Sequence, residues 1–172
     1  MGNDTTVTVW SNSVPKKVCI FFWRAKLGKL PSRSVLDKIG VDLDSSLCLR
    51  CGEGVETVEH ALVTCEEIKT LWRMVGRWWG VDVENSTTLH DLLEAGKQRG
   101  DKDKGNRRWG AVVWSFSYLI WANRNKRVFG GINGLISEHF FDFQLKAFEW
   151  VTRRDNDLKA DMAAWLTDPY GA

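Results

Sequence analysis

The sequence predicts a mostly α-helical protein. Apolar residues recur three and four apart over most of the chain, the spacing of one helical face. No segment alternates apolar and polar residues over a useful strand length. Ser, Thr, Pro and Gly stand where helices would start and stop.

The elements follow in chain order. Ser13-Val14-Pro15 opens a first helix: Ser13 can cap it, and Pro15 suits an early position where its missing N–H has no intrahelical partner. Val18, Phe21, Phe22 and Ala25 form its inner face. Leu30-Pro31-Ser32 ends it, and Ser32 can cap a short helix carrying Val35, Leu36 and Ile39, stopped by Gly40. Residues 41–56 read as loop. Thr57 can cap a short helix through Val63. A longer one carries Ile68, Leu71, Trp72 and Val75 and ends at Trp78-Trp79-Gly80. Residues 81–105 read as a connection, with Thr88 and Asp91 as a capping box and a polar, mobile stretch over 98–106. A long helix follows with Trp109, Val112, Val113, Phe116, Leu119 and Ile120 in register, ending near Phe129-Gly130. Ile136, Phe140, Phe143, Ala147 and Trp150 mark another over about 135–153. Leu158, Met162 and Trp165 mark a last short one, and Asp155-Asn156-Asp157 reads as a cap.

With 172 residues, 44% hydrophobic and 27% charged, the composition is that of a globular protein. No apolar run approaches the roughly 18 residues that span a bilayer, and the first residues lack the apolar stretch of a secretory signal. No membrane partner is expected. Ten tryptophans demand a thick aromatic core or a stacking surface. Phe21, Phe22, Trp72, Trp114 and Phe116 are expected in the core. Trp78 and Trp79, beside Arg77 at a helix end, are the pair expected to stay partly exposed. The net charge of +2 conceals blocks. Residues 15–38 carry seven cations against Asp37 alone, residues 42–67 seven acids against Arg50, and residues 97–127 nine cations against two acids.

Four cysteines without a secretory signal read as metal ligands or inert thiols rather than disulfides. Cys19, inside Val18–Trp23, reads as a small buried hydrophobe. Cys48, Cys51, His60 and Cys65 have the ligand types and spacing of a structural zinc site: two thiolates on a tight turn hold one edge of a tetrahedron, and a His and a Cys close the other. Gly52 suits that turn. Four protein ligands leave no open position for water, so a single structural zinc is expected. A redox Cys-x-x-Cys would open a helix after a buried strand, and no strand precedes Cys48. The acids nearby read as partners of basic neighbours, and His90 and His139 as structural or solvated.

These residues carry a resemblance. The chain is similar to the zinc-binding domain C-terminal to the reverse transcriptase of plant non-LTR (LINE-type) retrotransposons. The resemblance rests on Val14-Pro15-Lys16-Lys17-Val18 with Phe21-Phe22-Trp23-Arg24, then on Leu30-Pro31-Ser32-Arg33-Ser34-Val35-Leu36. Its core is Cys48, Cys51, Gly52, Glu56, Thr57, His60, Leu62 and Cys65, followed by Leu71-Trp72 and Trp78-Trp79-Gly80. A weaker likeness continues through Trp114, Trp121, Arg124-Asn125 and Val128-Phe129. The resemblance implies a small helical domain organised around one zinc over 10–80, a linker over 81–105 and a helical C-terminal region over 106–168. It also implies a non-catalytic module that helps a reverse transcriptase engage nucleic acid in target-primed reverse transcription.

The expected partners are therefore RNA or DNA, bound with sequence tolerance, and the reverse transcriptase domain of the same polyprotein; no small-molecule substrate is expected. Lys16, Lys17, Arg24, Lys26, Lys29 and Arg33 are the candidate phosphate contacts. Not all can share one helical face; Lys17, Arg24 and the region of Lys29 can line a stripe while Phe21 and Phe22 face inward. No Tyr-x-Asp-Asp or other carboxylate pair appears to hold catalytic metals, so no polymerase or nuclease activity is expected. The competing expectation is a protein-interaction module docking on the polymerase or a host partner. The match of Met1-Gly2 and Thr6 to a myristoylation signal is read as accidental.

Overall fold

The computed structural model describes residues 11–100, 103–131 and 134–172, so the Met1–Thr6 motif lies outside the described residues. Seven α-helices run in order: α1 (Lys16–Lys26), α2 (Arg33–Lys38), α3 (Glu66–Trp79), α4 (Leu89–Ala95), α5 (Asp103–Val128), α6 (Phe140–Arg154) and α7 (Met162–Thr167). Among the described residues the only extended pairing is a single bridge between Leu47 and Val55. The mostly α expectation holds.

Helix α5 is the axis. It packs against α1, α4 and α6 and buries side chains around most of its circumference, from Trp109, Val112 and Val113 to Phe116, Ile120 and Trp121. Such a helix has no wide polar face and belongs inside. One continuous apolar cluster runs from Val14, just before α1, to Trp165 on α7. At one end of it the indoles gather. Trp79 sits 5.2 Å from Trp109, and Trp78 sits 5.5 Å from Trp165, centroid to centroid. Three buried indole N–H groups find a carbonyl: Trp72 donates to Leu62 at 2.8 Å, Trp109 to Leu92 at 2.7 Å and Trp165 to Gln144 at 3.1 Å.

The local signals were read well where they were short-range. Thr88 accepts from the Asp91 N–H at 3.1 Å while the Asp91 carboxylate accepts from Thr88 at 2.9 Å, the reciprocal box expected. Gly80 closes α3 in the left-handed conformation. Asp155 caps the following turn by accepting from the Asp157 N–H at 3.1 Å. Cys19 is buried, its thiol donating to the Ser11 carbonyl at 3.4 Å; burial pushes that thiol up.

Three expectations are corrected. Ser13 does not cap α1; its hydroxyl donates to Asp155 at 2.8 Å, a partner 142 residues away that outcompetes the local N–H groups. Ser32 stands at the N-cap of α2 but gives no side-chain cap bond, its hydroxyl lying 3.2 Å from that of Ser34; the helix buries none of its residues. Of the pair Trp78 and Trp79 only the first stays partly exposed: Trp79 is fully buried, and Trp78 is half-buried with its indole donating to the Trp165 carbonyl at 2.9 Å. Helices α6 and α7 cover them, which the sequence around residue 78 could not announce. Among the described residues the exposed indole is Trp23, 45% accessible on the outside of α1. In the stretch over 98–106, Gln98 is bonded to the Asp82 backbone from both amide atoms, and Arg99 donates to the Trp79 carbonyl at 3.1 Å.

Candidate metal centre

Cys48 and Cys51 sit on a tight turn between the two residues of the Leu47–Val55 bridge. The turn closes through Gly52 N–H to the Cys48 carbonyl at 2.9 Å and Cys48 N–H to the Gly54 carbonyl at 2.7 Å. Gly52 has φ +71°, where a Cβ would be strained. The Arg50 N–H points at the Cys48 sulfur, 3.4 Å away, a bond that favours a thiolate. His60 and Cys65 flank a single π-turn, His60–Thr64, in which the Cys65 N–H donates to the His60 carbonyl at 3.0 Å. This wider turn brings residues five apart to the same side, and such turns concentrate at functional sites. Thr57 caps the approach by accepting from the His60 N–H at 3.0 Å. Gly54 makes room for the ring: a Cβ there would stand 2.7 Å from His60 Cε1.

The four ligand atoms all lie within 4.8 Å of one another, with Cys51 Sγ and His60 Nε2 3.3 Å apart. A zinc tetrahedron with bonds near 2.3 Å has donor–donor edges of about 3.8 Å, so the set needs only about an ångström of closure. Cys48 and Cys65 are buried; Cys51 and His60 form the half-exposed side. The Cys65 thiol, hydrogen-bonded to Cys48, draws the Cys48 thiol well below its ordinary value, and the same contact raises Cys65. Two buried sulfurs sharing a proton make a site in which a divalent cation can replace it. Three thiols and an imidazole are a donor set zinc prefers.

A second set of contacts, missed in the sequence, ties this centre to α5. Glu56 is 1% exposed and grips the buried Arg124, which donates to its carboxylate from both Nε and a terminal nitrogen. The same carboxylate accepts from the Arg33 N–H at 3.0 Å. Arg50, between the two cysteines, donates to Asn123 at 2.6 Å and to Glu67 at 3.0 Å. Glu67 also accepts from the Ile136 N–H at 2.8 Å. Glu56 and Glu67 thus partner basic residues, as expected, but across the fold. The sequence carried no clear signal for this: Asn123 and Arg124 open the polar run Asn123–Arg127 at the end of α5, and nothing local marks them as buried.

Residues 2–72 match the model of a family described as zinc-binding in reverse transcriptase. That stretch contains all four cluster residues. The match spans 71 of the 172 residues, a likeness to a zinc-binding module over that stretch. The match ends inside α3, so α4 to α7 lie beyond it. Neither a curated protein nor a solved structure matches the chain. The module binds one zinc ion, and the cluster is where the donor set fits it.

The candidate phosphate contacts divide. Lys16, Lys17, Arg24, Lys26 and Lys29 are exposed, while Phe21 and Phe22 face inward. Arg33 is half-buried, its Nε donating to the Ser45 carbonyl at 2.6 Å, so its guanidinium supports the loop before the zinc turn. Arg24 donates to the Lys29 carbonyl at 3.3 Å across the end of α1. No helix among the described residues is long and apolar enough to cross a membrane.

Proposed function

We propose that this chain is a non-catalytic accessory module of a non-LTR-type reverse transcriptase, and that it holds single-stranded RNA or DNA with little sequence preference. Residues 10–80 form the zinc module with Cys48, Cys51, His60 and Cys65 as ligands; 81–105 connect, and the helices of 106–168 brace it. The zinc is structural: with four protein ligands it fixes the turn and leaves no position for a reacting water. The observation that carries the nucleic-acid reading is the outer face of α1, where the exposed Trp23 stands among Lys16, Arg24 and Lys26. Cations along a strand neutralise phosphates, and an exposed indole accepts any base on its face.

The test is binding of a labelled oligouridine over a salt series. Replacing Arg24, Lys26 and Lys29 by Gln should flatten the slope of log affinity against log salt by about 2, from about 0.7 per single-strand phosphate. Trp23→Ala should weaken binding roughly 5- to 100-fold with the slope unchanged, the loss expected of one stacked base. Undetectable binding at low salt would remove the reading.

One observation favours a second reading, docking on the polymerase domain or another protein. Ile20, Trp23 and Leu27, spaced three and four apart, are 47%, 45% and 43% exposed on the same face. An apolar dock through that stripe would be insensitive to salt, whereas a phosphate surface would not.

A further inference from the structure

The first turn of α1 faces the last turn of α6 across a cleft of about 680 Å³, with Lys16 and Lys17 on one side and Glu149, Trp150, Arg153 and Arg154 on the other. The Lys17 ammonium lies 5.6 Å from the Trp150 ring and 5.5 Å from Tyr118, and Lys146 lies 5.7 Å from the same indole. Aromatic faces can hold cations in place without neutralising them. The one carboxylate lining the cleft, Glu149, is shared by Lys146 at 2.7 Å and Arg153 at 2.8 Å. Asp155, next along the chain, is buried and engaged by Ser13 and Arg107. Among the described residues no carboxylate pairs with Lys16, Lys17 or Arg154.

The helix dipoles sharpen the point. Arg153 and Arg154 occupy the last turn of α6, where cations are favoured. Lys16 and Lys17 occupy the first turn of α1, which contains no acid and where cations are disfavoured. Folding therefore gathers five cations, from segments about 130 residues apart, around one acid, against the local preference of one of the two helices. That arrangement concentrates positive potential in a concave site and suits an anionic chain rather than the folded protein alone.

We propose that this cleft is a phosphate-binding groove that continues the single-strand path from the outer face of α1 onto α6. It rests on the nucleic-acid reading given above, and joins Lys16 and Lys17 of the matched stretch to α6 residues outside it. The test takes the full zinc-loaded chain and an oligouridine of about 20 nucleotides, long enough to cover more than one basic surface. Arg153→Gln with Arg154→Gln should reduce the salt slope by about 1.4, two phosphates at about 0.7 each. Arg153→Lys with Arg154→Lys keeps the charge and should keep the slope. Lys38→Gln with Lys97→Gln, on other surfaces, should leave it unchanged. Zinc content and helical signal should be the same in all variants.

If the α6 double change leaves the slope alone while the α1 triple change flattens it, the groove is overturned and the α1 reading stands. If only the α6 change flattens it, the groove stands and the outer face of α1 is not the contact. A wild-type chain that fails to bind the oligouridine at low salt overturns both.

Discussion

The two ends of the core are built by different means. At the indole end, Trp78, Trp79, Trp109 and Trp165 pack edge to face or tilted, and apolar contact is the main stabilising element. At the zinc end apolar packing is confined to the turn with Val58, Ala61, Leu62 and Val63. Helix α2 buries nothing, and Val41, Leu47, Leu49 and Val55 stay 39% to 49% exposed. What holds residues 33–56 is ligation plus the Glu56–Arg124 and Arg50–Asn123 bonds to α5. A segment that cannot bury enough apolar surface to offset its conformational entropy needs another source of free energy, and a metal with a few buried polar bonds supplies it.

Removing the metal is the strongest way to test that contrast. Structural zinc contributes about 10–16 kcal/mol of apparent binding free energy in small fingers, comparable with the whole stability of a domain. A chelator, or Cys65→Ser, should abolish amide protection over 46–65 while the near-ultraviolet signal of the packed indoles persists. Cys19→Ser should retain the zinc. A single cooperative collapse of both ends would show that the two are not separately supported. Affinity for zinc should fall as the pH is lowered, because protons compete for the thiolates and the imidazole.

Next comes the indole end. Trp79→Ala should cost about 3–5 kcal/mol, read by chemical denaturation, with zinc stoichiometry unchanged in the folded fraction. A loss of zinc in parallel would mean that the indole packing sets the ligand geometry. Breaking the bond between the ends should cost about 3 kcal/mol: Glu56→Gln leaves the Arg124 charge buried without its partner. The double change Glu56→Met with Arg124→Met should lose less than Arg124→Met alone, since no orphaned charge remains.

The smallest effect lies at α4, outside both ends. Thr88→Ala should cost about 1 kcal/mol of stability. N–H donation from Thr87 and Thr88 holds the Asp91 carboxyl at about 2. A carboxyl depressed in the folded state stabilises at pH values above its unfolded value, near 3.8, and that contribution fades as the pH falls toward 2. Asp91→Asn should remove this part of the acid dependence, measured as the difference in melting temperature between pH 5 and about pH 2.5.

Much of the molecule was legible in the chain because its signals are local. The helical stripes, the capping box and the four ligands follow from spacings of two to eight residues, and neither a helix nor a Cys-x-x-Cys turn needs distant partners to be recognised. The proposed phosphate surface was legible in part: the alternation of Lys, Arg and inward Phe on α1 was readable, but Arg33 turned inward to the zinc loop. The buried Glu56–Arg124 pair was not legible, since its two halves lie 68 residues apart.

The sequence by itself determined where helices form, which residues can hold the zinc and which face of α1 is apolar, because backbone hydrogen bonding and side-chain periodicity act over one or two turns. The tertiary structure decided that Trp79 is buried and Trp23 is not, that Ser13 serves Asp155 rather than its own helix, and that Lys16 meets Arg154 across a cleft. Burial and charge clustering depend on what other elements cover, and only the packing of α5, α6 and α7 settles that.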